Sequence, residues 1–210
     1  MKNIVIIGSG GFAKEVAFLI DEINKVNKIW NILGYIDSDI GKYNGKYSVF
    51  QNDEWLITTK KPINVAFGIG SPILLKNLSD KFIKNKNLCF PNIIHHNVIA
   101  DWEKIDIGRG NIICSSNIFT TDIKIGSFNV FNLNTTLGHD SCIGNYNIIN
   151  PSVNLSGGVD IGHFNLIGTS ATILQYVKIN NEIIIGANSL VNKNIVEKGV
   201  YVGAPCKKIK

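Results

Sequence analysis

Cysteine is sparse in this chain, and its spacing excludes the usual cysteine chemistry. The four residues stand at 89, 114, 142 and 206, with no C-x-x-C pair, so neither a zinc ribbon nor a dithiol redox motif is indicated. Long hydrophobic runs are also missing. No apolar stretch reaches the length of a membrane span. Only four apolar residues follow Met1-Lys2-Asn3 before Gly8, too few for the h-region of a secretory leader. Dense basic blocks are absent as well. The net charge of +5 is spread over scattered lysines, and the tightest cluster, Lys207, Lys208 and Lys210, is shorter than a nucleic-acid arm. These absences predict a cytoplasmic protein with reduced thiols, no membrane span and no nucleic-acid partner. Scattered lysine suits an anionic small substrate. At 45% apolar and 18% charged, the 210 residues form one large or two small folded domains.

The chain does contain a repeat. From Ile107, every sixth residue is apolar: Ile107, Ile113, Phe119, Ile125, Phe131, Leu137, Ile143, Ile149, Leu155, Ile161, Ile167, Ile173, Ile179, Ile185 and Val191. Glycine follows at 108, 126, 138, 144, 162, 168 and 186. A period of six is neither helical nor strand alternation. It fits one short strand plus one turn per hexad, with three hexads closing a triangular coil. The apolar position points inward, and glycine follows because corners need tight or left-handed backbone. Five such coils make a prism roughly 24 Å tall. The pattern resembles the hexapeptide-repeat acyltransferases, and that resemblance implies left-handed coils, against the usual crossover rule.

The first part of the chain reads differently. Ile4, Val5, Ile6 and Ile7 form a buried strand, and Gly8, Gly10 and Ala13 spell G-x-G-x-x-A. A helix follows with Ala13, Val16, Ala17, Ile20 and Ile23 on one face. A second strand, Ile32 to Ile36, ends at Asp37, giving a βαβ unit whose turn aims N–H groups at a phosphate. A third strand is expected over Val65 to Ile69, then a helix with Leu74, Leu75, Leu78 and Phe82. The expected domains are 1–90, α/β and Rossmann-like, and 91–210, an all-β parallel β-helix. With so few residues before the repeat there is no room for a second half-sheet, which argues against an NAD-dependent dehydrogenase.

A Rossmann-like module joined to a hexapeptide β-helix resembles, over essentially the full chain, the bacterial nucleotide-linked amino-sugar N-acetyltransferases and sialic-acid O-acetyltransferases. The landmarks are the Gly8 to Phe12 turn, Leu137-Gly138-His139-Asp140, Ile149 to Val153, and Val202-Gly203-Ala204-Pro205. The resemblance implies that the first domain holds the nucleotide of an activated sugar through Gly10, Gly11, Phe12, Asp37 and Ser38. It implies acetyl-CoA as co-substrate, no metal, and a homotrimer with active sites between subunits. It assigns Gly157 to the acetyl group, Thr169 and Ala187 to CoA as backbone contacts, and Lys207 to a CoA phosphate. Phe12 and Ile148 stand where the family often has histidine.

His139 is the candidate catalytic residue. As third residue of its hexad it should point outward, and it precedes Asp140. Acyl transfer from a thioester needs a nucleophile that loses a proton; imidazole, with a pKa near ~6.5, takes it, and a carboxylate orients the ring. One coil on stands Gly157, whose N–H can stabilise an oxyanion. Gly157 and Gly158 read equally as a plain corner. Three activities are compatible with these residues. They are N-acetylation of a UDP- or dTDP-linked 4-amino-deoxy sugar for surface glycan synthesis, O-acetylation of a sialic acid or related sugar, and a non-catalytic scaffold. A gamma-class carbonic anhydrase needs three converging histidines, and His95, His96 and His163 do not supply them around His139.

Overall fold

The apolar run Ile4–Ile7 is wholly buried and forms the middle of a parallel sheet. The computed structural model describes residues 1–210, which divide into two units, Met1–His96 and Asn97–Lys210. The first contains β1 (Lys2–Ile7), α1 (Gly11–Val26), β2 (Trp30–Ile36), β3 (Tyr43–Asn44), β4 (Tyr47–Gln51), α2 (Asp53–Thr58), β5 (Ile63–Phe67), α3 (Pro72–Phe82) and β6 (Leu88–Cys89). The strand order is β3-β4-β2-β1-β5-β6, parallel except for the β3–β4 hairpin. The chain switches sides of β1 between β2 and β5, so a crevice opens at the strands' carboxyl ends. Helix α1 buries the five apolar residues predicted for its inner face, together with Leu19. Its close approach depends on Gly68, where a β-carbon would stand 2.5 Å from the Cα of Ala13.

Three details differ from the sequence reading. Strand β5 starts and stops two residues early, because Gly68 already turns away after donating to the Ile7 carbonyl at 2.8 Å. On α3, Leu75 and Phe82 are buried, but Leu74 is exposed and Leu78 half-buried. Residues 37–62, with no clear periodicity, supply the β3–β4 hairpin and α2, the latter capped by the Asn52 side chain accepting from the Trp55 N–H at 3.1 Å.

The second unit is a parallel β-helix whose successive coils pair residues eighteen apart, as in Thr136 with Asn154 and Asn154 with Thr172. Short strands lie on three faces. One face has outward residues Asp106, Lys124, Cys142, Asp160 and Lys178, a charged ladder. A second has Ile112, Val130, Ile148, Leu166 and Ile184, all apolar. The third has Ile118, Thr136, Asn154, Thr172 and Leu190, uncharged. The inward residues are the six-spaced apolar positions. The lysine tail is exposed, and Lys207–Lys208 turns back antiparallel on Gly199–Val202.

The corner glycines serve a purpose other than the one expected. The left-handed residue at a corner is usually two places later and seldom glycine: Asp122, Phe128, Asp140, Tyr146, Phe164 and Tyr176 all have φ between 57° and 61°. Glycine comes first because coils touch there. A β-carbon on Gly126 would stand 2.5 Å from the Gly144 carbonyl oxygen, and one on Gly138 would stand 2.5 Å from the Gly157 nitrogen.

A column of buried asparagines threads the core, which hydrophobic counting passes over. Asn111, Asn129, Asn147 and Asn165 are fully buried. Each Oδ1 accepts the backbone N–H eighteen residues on, at 2.8 to 2.9 Å, ending at Ile183. The amides of the first three donate to the carbonyls of Gly126, Gly144 and Gly162. Asn147→Ala strips partners from Asn129, Gly162 and Asn165 at once, so it is expected to cost about 1–3 kcal/mol. Lys178→Ala, on the charged face, is expected to stay within about 0.5 kcal/mol. Denaturant midpoints of the two variants check both values.

Candidate functional site

In the first unit, β2 delivers Asp37 to the crevice beside the glycine turn. Its carboxylate accepts from the Ser9 hydroxyl at 2.6 Å and from the Ser38 N–H at 2.8 Å. The hairpin clamps the same turn from the other side, where the Asn44 amide donates to the carbonyls of Ser9 and Gly10. Burial pushes the Asp37 carboxyl up, but hydrogen bonds from Ser9 and Ser38 outweigh it and hold the group below its ordinary value.

A cleft of ≈ 600 Å³ lies here, with Gly8, Asp37 and Ser38 on one side, Asn52, Asp53 and Glu54 from the start of α2, and Ile69, Leu74, Leu78 and Lys81 opposite. Lys81 pairs with Asp53 at 2.8 Å. Of the five residues expected to hold substrate, Asp37 and Ser38 line this cleft. Gly10, Gly11 and Phe12 do not; they open α1 at its N-terminus. Apart from their chain neighbours and the helix's own backbone, no atom lies within 4 Å of where a β-carbon on Gly10 or Gly11 would stand, so packing does not demand glycine at either place. Sequence reading missed Ser9, Asn44 and the start of α2. The run Asn52-Asp53-Glu54, a helix-cap pattern, could have marked only the last of these.

In the second unit, His139 stands on the corner between the uncharged and charged faces and is exposed. Asp140 follows with φ 59°, and its Oδ2 lies 2.7 Å from His139 Nδ1. A carboxylate at that nitrogen places the ring proton on Nδ1 and leaves the Nε2 lone pair available. Nε2 leans against Gly157, where a β-carbon would stand only 2.5 Å from it. The Gly158 N–H donates to the His139 carbonyl at 2.7 Å, and the Gly157 N–H donates to no acceptor in the chain. A proton acceptor and an open backbone donor therefore adjoin on one rung, the arrangement that acyl transfer uses.

The remaining residues fall elsewhere. Thr169 and Ala187 share a different corner, between the apolar and uncharged faces, where the Asn188 N–H donates to the Thr169 carbonyl at 2.9 Å. A single chain does not bring them to His139. Lys207 is exposed on the terminal hairpin. Ile148 is buried on the apolar face, away from the His139 corner. His163 occupies the third corner, where Nδ1 accepts from the Asn145 N–H at 2.8 Å and its own N–H donates to Asn181 at 2.7 Å. No group of three or more His, Cys, Asp or Glu is arranged to hold a metal ion, and no helix is long and apolar enough to cross a membrane.

Residues 3–82 match the family model described as the PglD N-terminal domain. No curated protein matches the chain. Several solved structures do. PerB from Caulobacter crescentus, in complex with CoA and GDP-perosamine, is 23% identical with a TM-score of 0.90, over 100% of this chain and 98% of that one. The acetyltransferase domain of PglB from Neisseria gonorrhoeae is 21% identical, TM-score 0.90, over 100% of both chains. WeeI from Acinetobacter baumannii is 24% identical, TM-score 0.88, over 100% of both. These likenesses establish the fold as an α/β Rossmann-like domain followed by a left-handed parallel β-helix.

The Asp37 network yields a titration test. A carboxyl whose folded pKa is depressed stabilises the native state above its unfolded pKa and loses that contribution as pH falls through the folded value. Ser9→Ala removes one donor, so the Asp37 midpoint, followed by NMR, is expected to rise toward the ordinary value of about 3.9. The acid limb of the stability curve should move up with it.

Proposed function

We propose that this chain transfers an acetyl group from acetyl-CoA to the amino group of a nucleotide-linked 4-amino-deoxy sugar. The observation that carries this reading is the rung on which His139 Nε2, oriented by Asp140, adjoins the open N–H of Gly157. The amine attacks the thioester carbonyl, and His139 takes the proton that the nitrogen releases. The Gly157 N–H meets the oxyanion. When the tetrahedral intermediate collapses, the C–S bond breaks and the imidazolium returns the proton to the CoA thiolate. The cleft at Asp37 and Ser38 holds the nucleotide, with the N-terminus of α1 at Gly10, Gly11 and Phe12 toward its phosphates. The C. crescentus structure, solved with CoA and GDP-perosamine, and the N. gonorrhoeae domain, solved with acetyl coenzyme A, support this class of reaction.

The active form is a homotrimer with a CoA groove between neighbouring chains. His139 and Gly157 occupy one corner while Thr169 and Ala187 occupy another, so one groove takes a different corner from each of two chains, with Lys207 meeting a CoA phosphate. The uncharged face lies between these corners, and bringing it against another chain desolvates no charge, unlike the Asp–Lys ladder next to it. All four cysteines are free, which supports a reducing cytoplasm.

Thiol release from acetyl-CoA, followed across a panel of GDP-, UDP- and dTDP-linked 4-amino sugars, tests the reading. Release with at least one acceptor is expected, and none with any would sink it. His139→Ala should lower kcat by about 10²–10⁴-fold. Gly157→Ala, whose methyl collides with the imidazole, should lower it at least about 10²-fold. Both changes leave the core untouched, so circular dichroism should match the parent.

A further inference from the structure

The β3–β4 hairpin of the first unit reaches the glycine turn through one side chain. Asn44 ends β3, and Gly45, at φ 69°, starts the tight reversal into β4. The amide nitrogen of Asn44 carries two hydrogens, and it donates to two successive carbonyls of the turn, those of Ser9 and Gly10, the second at 3.2 Å. The hairpin is itself braced. The Tyr35 hydroxyl, on β2, donates to the Asn44 carbonyl at 3.1 Å. Asp21, on α1, accepts from the Tyr47 hydroxyl at 2.8 Å and pairs with Lys46 at 3.1 Å.

A planar trans peptide points its N–H opposite to its C=O. Holding the Ser9 carbonyl therefore turns the Gly10 N–H away from Asn44, and holding the Gly10 carbonyl does the same for the Gly11 N–H. Neither N–H donates to an acceptor in the chain, and both glycines are exposed. Two successive donors thus face outward at the N-terminus of the 16-residue α1, whose dipole favours an anion. Adjacent glycines have the widest backbone freedom, so without a hold these donors would not stay aimed. The cleft beside the turn has the opposite character. It carries Asp37, Asp53 and Glu54 against one cation, Lys81, so it suits the hydroxyl and N–H groups of a nucleoside and repels phosphate.

We infer that Asn44 is a positioning residue for the diphosphate of the substrate, holding the turn so that the Gly10 and Gly11 N–H groups are aimed at the anion before it arrives. This rests on the nucleotide-sugar reading of the first unit. Asn44 acts through the turn, because both of its amide hydrogens are already engaged and none is left for a phosphate oxygen.

NMR titration of the intact chain with GDP and UDP, each beside its nucleoside, tests the assignment. For the nucleotide that binds, Asn44→Leu, close in volume but without a donor, should weaken the diphosphate at least about tenfold. It should leave the nucleoside affinity where it was, because the nucleoside meets Asp37 and Ser38 and not the turn. A residue that mattered only for folding would lower both alike. In the unmodified protein, the amide resonances of Gly10 and Gly11 should shift with the diphosphate and stay in place with the nucleoside. Equal loss of both ligands, no loss of either, or diphosphate binding that leaves those amides unmoved overturns the proposal. If the unmodified protein binds neither diphosphate, the nucleotide reading falls together with it. If it binds one and Asn44→Leu changes nothing, that reading stands and the role of Asn44 alone is lost.

Discussion

Neighbouring coils of the β-helix lie one strand spacing apart, about 4.8 Å, and at the corners that distance leaves no volume for a β-carbon between two backbones. Gly108, Gly126, Gly138, Gly144 and Gly168 all sit where an added carbon would come within 2.8 Å of the next coil's backbone. Residues eighteen apart are forced side by side, so an outward imidazole on one coil lies against the corner of the next. His139 meets Gly157 because the chain cannot stack any other way. The asparagine column satisfies the backbone donors behind one corner at that same spacing, giving the rungs a fixed height. A site assembled from successive coils therefore inherits the register of the whole stack, and its geometry is as rigid as the core beneath it.

Legibility from sequence followed periodicity. The six-residue beat revealed the inward stack and, by addition of eighteen, the neighbour of His139. It did not reveal which corner residue is left-handed, because the expectation rested on glycine and the structure puts Asp, Phe, Tyr, Ser and Asn there. Nor did it reveal the asparagine column, since buried polar residues look like surface ones until their partners are placed. In the first unit, the βαβ turn and the inner face of α1 were readable from spacing. The clamp on that turn was not: Ser9, Asn44 and Asp37 are joined by hydrogen bonds across 28 and 35 positions, and nothing local marks such a pair. Leu74 shows the converse error. Helical spacing assigned it to the core, yet α3 turns it to the cleft, where it stays exposed as part of an apolar wall.

Asp140 illustrates how corner geometry and side-chain hydrogen bonding constrain each other. Two adjacent residues in an extended strand point to opposite faces and cannot pair. At this corner the backbone of Asp140 enters the left-handed region, where aspartate is among the residues that tolerate it best. That turn swings the carboxylate back onto the ring that precedes it, so a side chain of one methylene spans the gap at 2.7 Å. A longer acid has no need of so tight an approach and loses more rotamer freedom when held there. Aspartate thus serves both as the residue that makes the turn and as the group that sets the tautomer of His139. Because the Asp140 N–H is itself held by the Thr121 carbonyl one coil below, at 3.2 Å, the orientation of the imidazole traces back to the stacking of coils, and the ring is positioned by the same contacts that build the column.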